Sequence, residues 1–188
     1  ALLKKGIFTR QELAEVAERV GRSFGEKAAG IGRKLIARAW IDSDFKDALL
    51  RNWKEALAAV DITLSPQGNA TKLIVLENTE SCHNIVVCTL CSCWPSYLLG
   101  NPPAWFKSSS YRARVVREPR AVLKEFGVEL HPNVQVRVHD STADMRYMVI
   151  PQRPYGTEGW NEAQLSELLT RDAMVGCGQP KSPNAARL

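Results

Sequence analysis

The chain has 188 residues, 45% of them apolar and 24% charged, with a net charge of +5. That is the composition of one globular domain with a real core, and its basic residues are spread along the chain, which argues against nucleic-acid binding. No apolar run approaches the ~20 residues that span a bilayer, and the opening Ala1-Leu2-Leu3-Lys4-Lys5-Gly6 lacks a long apolar signal segment, so a cytoplasmic protein with no membrane partner is expected.

Thr9 and Glu12 have capping-box spacing, and Leu13, Val16 and Val20 recur at helical spacing, which predicts a helix over about 9–20. Glycines at 21, 25, 30 and 32 predict a loosened arm beyond it rather than core. After Asp42, the residues Phe45, Leu49, Trp53, Leu57 and Val60 fall on one face of a second helix. Residues 65–71 read as a polar loop. Leu73 to Leu76 and Ile85 to Val87 read as buried strands. Prolines 95, 102 and 103 and Gly100 predict irregular chain. Pro119 opens a short helix that Gly127 ends. Val134, Val136 and Val138 alternate as a half-buried strand, and Met145 to Ile150 form another. Asn161 and Gln164 frame a last helix with Leu165, Leu168 and Leu169 inward. Helices first, then strands mixed with short helices, predict an α+β fold: a helical arm over 1–35, a layered α/β domain over 36–178, and a loose tail over 179–188.

The chemistry concentrates in Cys88-Thr89-Leu90-Cys91-Ser92-Cys93, which holds three of the five cysteines. Three thiols so close cannot all pair with one another, and a thiolate cluster is a strong transition-metal ligand set. A structural zinc site usually draws its four ligands from separated pairs, and there is no second Cys-x-x-Cys here, though Cys82 or His83 could complete a set. A redox Cys-x-x-Cys would leave the third cysteine without a purpose. The tight loop offers a further option. Cys91 and Cys93 flank backbone amides that, once deprotonated, would place two nitrogens and two sulfurs near one plane. Cys88 would be an axial sulfur, leaving one position open for substrate or water. Such donors favour a trivalent, low-spin Lewis acid.

This hexapeptide and its flanks resemble the α subunit of nitrile hydratase. The resemblance extends through Ala37 to Trp40, Glu77 to Thr79, His83-Asn84, Pro102 to Trp105, Tyr111 to Arg120 and Thr170 to Asp172, and covers about residues 2–178. It implies a metal claw carrying non-corrin cobalt(III), which Thr89 in the second position favours over iron(III). The resemblance makes Cys88 the axial ligand. It makes Cys91 and Cys93 equatorial sulfurs, with backbone nitrogens of Ser92 and Cys93 completing the plane. It also implies oxidation of Cys91 to sulfinate and Cys93 to sulfenate, the latter a possible nucleophile, so that Cys91 and Cys93 count as catalytic.

The same resemblance suggests supporting roles around the metal for Glu77, Thr89, Asp140, Asp144 and Arg146, although glutamate is usual where Asp144 stands. It implies a β subunit, as one chain or two, and an activator protein that loads cobalt. Trp94 and Ser96 are expected at the substrate pocket. Ser96 stands where the family carries a tryptophan, which implies a pocket for a bulky or heteroaromatic nitrile, as in the toyocamycin-type members. The rival readings are the metal-bearing subunit of thiocyanate hydrolase, which shares the claw, and a non-catalytic zinc or iron module. His83 is expected to be hydrogen-bonded structure, His131 and His139 loop or surface residues, Trp40 and Trp105 packing, and Cys177 inert.

Overall fold

The computed structural model describes residues 9–60, 62, 71–91 and 93–186. Most of the loop expected over 65–71, and Ser92 of the claw, lie outside them.

One long helix opens the chain: α1, Arg10–Ile41. The helix expected to stop near residue 20 instead runs on past all four glycines, and its second half is core, with Ala28, Ala29, Leu35, Ile36, Ala37 and Ala39 buried. The reason is close approach. A Cβ on Gly32 would fall 2.7 Å from Leu99 Cδ2 and 2.8 Å from the Leu98 carbonyl. A Cβ on Gly100 would fall 2.2 Å from the Gly25 carbonyl oxygen. Gly25 and Gly32 therefore let another segment press against the helix, which outweighs their intrinsic cost of about 1 kcal/mol each.

The second predicted helix is two helices: α2, Ser43–Arg51, and α3, Trp53–Ala58. Asn52 breaks them, at φ −149°, and its side chain caps the second by accepting from the Lys54 amide at 3.3 Å. Asp42 caps the first through the Phe45 amide at 2.9 Å.

Four strands follow: β1, Lys72–Glu77; β2, Cys82–Val87; β3, Gln135–Asp140; and β4, Met145–Ile150. Among the described residues they form two two-stranded sheets, β1 with β4 and β2 with β3, both parallel. The Ile85-Val86-Val87 run is fully buried, as expected of a strand covered on both faces. Parallel pairing requires a crossover. Between β2 and β3 it consists of α4, Ser96–Leu99; a 3₁₀ turn, Ala104–Lys107; α5, Ser109–Arg114; and α6, Pro119–Glu125. The chain expected to be irregular after Pro95 thus contains a full turn of helix packed on α1. Gly127 takes φ +75° just after α6. The final helix, α7, Glu162–Ser166, has both bonds of the Asn161–Gln164 capping box. Near the C-terminus, the Lys181 amide bonds the Leu168 carbonyl at 2.7 Å. Among the described residues, no helix is long and apolar enough to cross a membrane.

The molecule is of the α+β class, with helices packed around small sheets, as the order of elements predicts.

Candidate metal centre

Parallel strands end on the same side, and the crevice beyond their carboxyl ends is where α/β folds place their sites. β2 ends at Val87 and β3 at Asp140, which the pairing sets opposite each other. The Ser141 amide continues the ladder onto the Val87 carbonyl at 2.7 Å. This register delivers the Asp140 carboxylate to the first residues of the claw. It accepts the Thr89 amide at 2.9 Å on one oxygen and the Thr89 hydroxyl at 2.5 Å on the other. Two charge-assisted bonds to adjacent donors fix both position and orientation.

Above this clamp the three thiols converge. Cys88 Sγ lies 3.2 Å from Cys91 Sγ, and Cys91 Sγ lies 3.0 Å from Cys93 Sγ. All three sulfurs fall within 4.8 Å of one another. A disulfide needs about 2.05 Å, and all five cysteines are free. Two sulfurs held about 2.3 Å from a common ion would be about 3.8 Å apart in a tetrahedron but about 3.3 Å apart at right angles. The two observed spacings are shorter than either, and three convergent sulfurs make a soft donor set that could hold a transition-metal ion. The Cys91 amide points at Cys88 Sγ, 3.3 Å away, and tightens the turn.

Without a cation, the surroundings of the cluster favour the protonated form of Cys93. Burial, and then the neighbouring Cys91 and Cys88 groups, push the Cys93 thiol up to about 12, against a smaller opposing pull from Arg146. A cation at the centre inverts that balance, because coordinated thiols deprotonate.

Other groups close the site from below and behind. Arg112 Nη1 reaches the carbonyls of Thr89 at 3.5 Å and Cys91 at 3.4 Å. The Tyr111 hydroxyl donates to the Val86 carbonyl at 2.7 Å and lies 3.0 Å from Cys177 Sγ, so Cys177 is buried rather than reactive. Sequence reasoning gave neither Arg112 nor Tyr111 a role, although both lie in the Tyr-Arg-Ala-Arg run that carries the resemblance.

The other expected neighbours of the metal have partners of their own. The Glu77 carboxylate pairs with Lys46 of α2 at 2.8 Å, so its charge is engaged away from the thiols. Asp144 is exposed and contributes its backbone carbonyl to the Lys72 amide at 3.0 Å. The guanidinium of Arg146 caps the β3–β4 loop, with Nη1 donating to the carbonyls of Thr142, Ala143 and Met145, while its charge reaches Cys93 and Tyr97.

Trp94, expected at the pocket, is instead a core residue. It is buried, donates Nε1–H to the Gly100 carbonyl at 2.8 Å, and packs edge-on against Phe106 at 4.8 Å. Ser96 is half-buried where α4 begins. Two hydroxyls, those of Tyr97 shortly after the claw and Ser141 just beyond β3, are buried without a hydrogen-bond partner. Trp40 and Trp105 pack as expected, with Nε1–H groups on the Pro151 carbonyl at 2.8 Å and Asp172 Oδ1 at 3.2 Å.

His83 is hydrogen-bonded structure, as predicted. His139 is not a surface residue: it is half-buried, with Nε2 2.9 Å from Asn84 Oδ1.

Three free thiols gathered at the end of a parallel strand pair, on a loop clamped by a carboxylate, make a sulfur-rich site that could hold a metal ion. The nitrile hydratase α-chain family model matches residues 1–178. The low-molecular-weight cobalt-containing nitrile hydratase subunit alpha of Rhodococcus rhodochrous is 43% identical over 98% of this chain and 86% of that one. The thiocyanate hydrolase subunit gamma of Thiobacillus thioparus is 39% identical over 95% of this chain and 75% of that one. Among solved structures, a double mutant of the Fe-type nitrile hydratase from Comamonas testosteroni Ni1 matches with a TM-score of 0.79 at 39% identity, over 97% of this chain and 86% of that one. The chain belongs to the nitrile hydratase α-chain family.

Proposed function

We propose that this chain is the metal-bearing α subunit of a nitrile hydratase, converting a nitrile to its amide on low-spin cobalt(III). The observation that carries this reading is the Cys88–Cys91–Cys93 cluster, with sulfurs at 3.0 and 3.2 Å, at the end of β2. In it, the sulfurs of Cys88, Cys91 and Cys93 would hold the ion, with the backbone nitrogens of Ser92 and Cys93 as further donors. Cobalt-containing relatives and Thr89 support cobalt over iron(III).

Bound there, the ion supplies Lewis acidity toward the nitrile nitrogen and makes the adjacent carbon open to attack. The chain's own residues prepare that event. Asp140 and Arg112 hold the claw backbone so that its sulfurs converge. Burial of Cys88 and Cys93 keeps the ligand face dry and strengthens its electrostatics. We assign sulfinate to Cys91 and sulfenate to Cys93, and either the Cys93 oxygen or a water delivers the nucleophile.

The substrate in this reading is a bulky or heteroaromatic nitrile. Ser96 in place of an indole opens volume, and the unpartnered Tyr97 and Ser141 hydroxyls suit a ligand with hydrogen-bonding atoms. A β subunit, as one chain or two, would complete the site over the exposed claw tip, where Leu90 is 88% exposed. A small activator would load cobalt, and the assembly would work in the cytoplasm.

The test is to express the chain with its partner, measure metal by elemental analysis and cysteine mass by intact-protein spectrometry, and assay a nitrile beside thiocyanate. Cobalt, a mass gain of three oxygens on the claw peptide and amide formation are expected. Zinc on unmodified thiols would overturn the reading, and turnover of thiocyanate alone would reassign it to the thiocyanate hydrolase branch. Faster turnover of acetonitrile than of any large heterocyclic nitrile would remove the substrate assignment.

A further inference from the structure

The two small sheets share no backbone ladder among the described residues, yet β2 and β3 must be held still for the claw to keep its shape. Side chains join them instead. Within the β2–β3 sheet, the His139 Nε2–H donates to Asn84 Oδ1 at 2.9 Å. Asn84 Nδ2 donates to the Glu77 carbonyl at 2.8 Å and to Asn78 Oδ1 at 3.2 Å. Asn78 Oδ1 also accepts the Asn84 amide at 2.7 Å, and Asn78 Nδ2 donates to His83 Nδ1 at 3.2 Å. His83 Nε2–H ends the run on the Gly176 carbonyl at 2.7 Å. A carbonyl can only accept, so the hydrogen of His83 sits on Nε2 and its Nδ1 is free to accept.

This seam ties the end of β1, the start of β2, β3 and the turn at Gly176 into one buried unit. The turn is pressed so close that a Cβ on Gly176 would fall 1.8 Å from the Asn84 carbonyl oxygen. The last member, His139, directly precedes Asp140, whose carboxylate clamps Thr89.

We propose that the His83–Asn78–Asn84–His139 seam is a positioning device for the claw, with His139 as the side-chain tie that couples the seam to β3 beside Asp140 and hence to Thr89. The claim rests on the claw being the working part of the chain. A buried acceptor left without its donor costs more than the bond returned, so losing the His139 hydrogen should slacken Asn84 and, with it, the strand that carries Asp140.

The two variants that decide this are His139→Phe, which removes the donor, and His139→Gln, whose side-chain amide can replace Nε2–H. The readout is hydrogen–deuterium exchange of the peptide spanning residues 88–93 in the full chain, with the α7 peptide as an internal reference. Roughly ten-fold faster claw exchange is expected in His139→Phe, with wild-type exchange in His139→Gln and an unchanged α7 peptide. His83→Gln, which keeps the Gly176 bond and removes the acceptor for Asn78, should also speed claw exchange and provides the reading should His139→Phe fail to fold. Unchanged claw exchange in both His139→Phe and His83→Gln, or equal loss in His139→Phe and His139→Gln, overturns the proposal. Exchange reads the claw with or without metal. A wild-type complex that takes up no cobalt therefore counts against the proposed function and leaves the exchange result standing on its own.

Discussion

Asp140 shows how one carboxylate can govern a site it does not ligate. Its two oxygens hold the amide and the hydroxyl of Thr89, the residue between Cys88 and the turn. Groups that orient ligands in this way commonly carry 10–100-fold of metal affinity. Asp140→Ala should therefore yield a folded chain whose cobalt content, measured by elemental analysis after dialysis against a chelator, falls by about that factor. Thr89→Val keeps the size of the side chain and removes only its donor; it should retain more metal than Asp140→Ala, because the amide bond to Asp140 survives. Cys88, Cys91 and Cys93 have no such gradation. Replacing any one by alanine removes a third of the sulfur set, and each variant should bind no stable cobalt.

Helix α1 and the turn α4 depend on backbone contact rather than side-chain interlock. Gly100 adopts φ +70° with the Gly25 carbonyl in the space a side chain would take. Gly100→Ala meets both strain and collision and should cost about 3 kcal/mol or more, read as a shift in the urea midpoint. Gly30, with no atom within 4 Å of a built Cβ, is the contrast. Gly30→Ala should stabilise by up to about 1 kcal/mol.

Those two glycines also show where sequence reading stops. The strands, the Asn161 cap, the Gly127 stop and the cysteine hexapeptide were legible because period, cap chemistry and thiol spacing are local signals. The continuity of α1 was not, since a glycine chosen for close packing looks the same in one dimension as a glycine that loosens a helix. The Asp140 clamp was expected only by resemblance, because it arises from a parallel register between strands about fifty residues apart. Trp94 is expected at the pocket only by resemblance, and the Gly100 carbonyl and Phe106 that hold its indole lie beyond the turn.

At the scale of the whole molecule, the polar seam between the sheets links stability to acidity. Burial holds the His83 imidazole below its ordinary value, and the Gly176 bond only partly opposes this. As pH falls through about 6.5, the unfolded chain takes up the proton before the folded one does. Stability is thus complete above that pH and declines steadily below it, toward the depressed folded value. Burial, and then Arg137, lower His139 in the same direction. The melting temperature of the full chain should fall between pH 7 and pH 5. His83→Gln should lower the neutral-pH value and flatten the slope, leaving the part due to His139.

The uneven exposure of the three thiols has a consequence for how the centre fills. Cys91 faces solvent, while Cys88 and Cys93 are enclosed. An incoming ion would therefore meet Cys91 first and the two buried sulfurs after it. The order of ligation is written into the depth at which each sulfur sits.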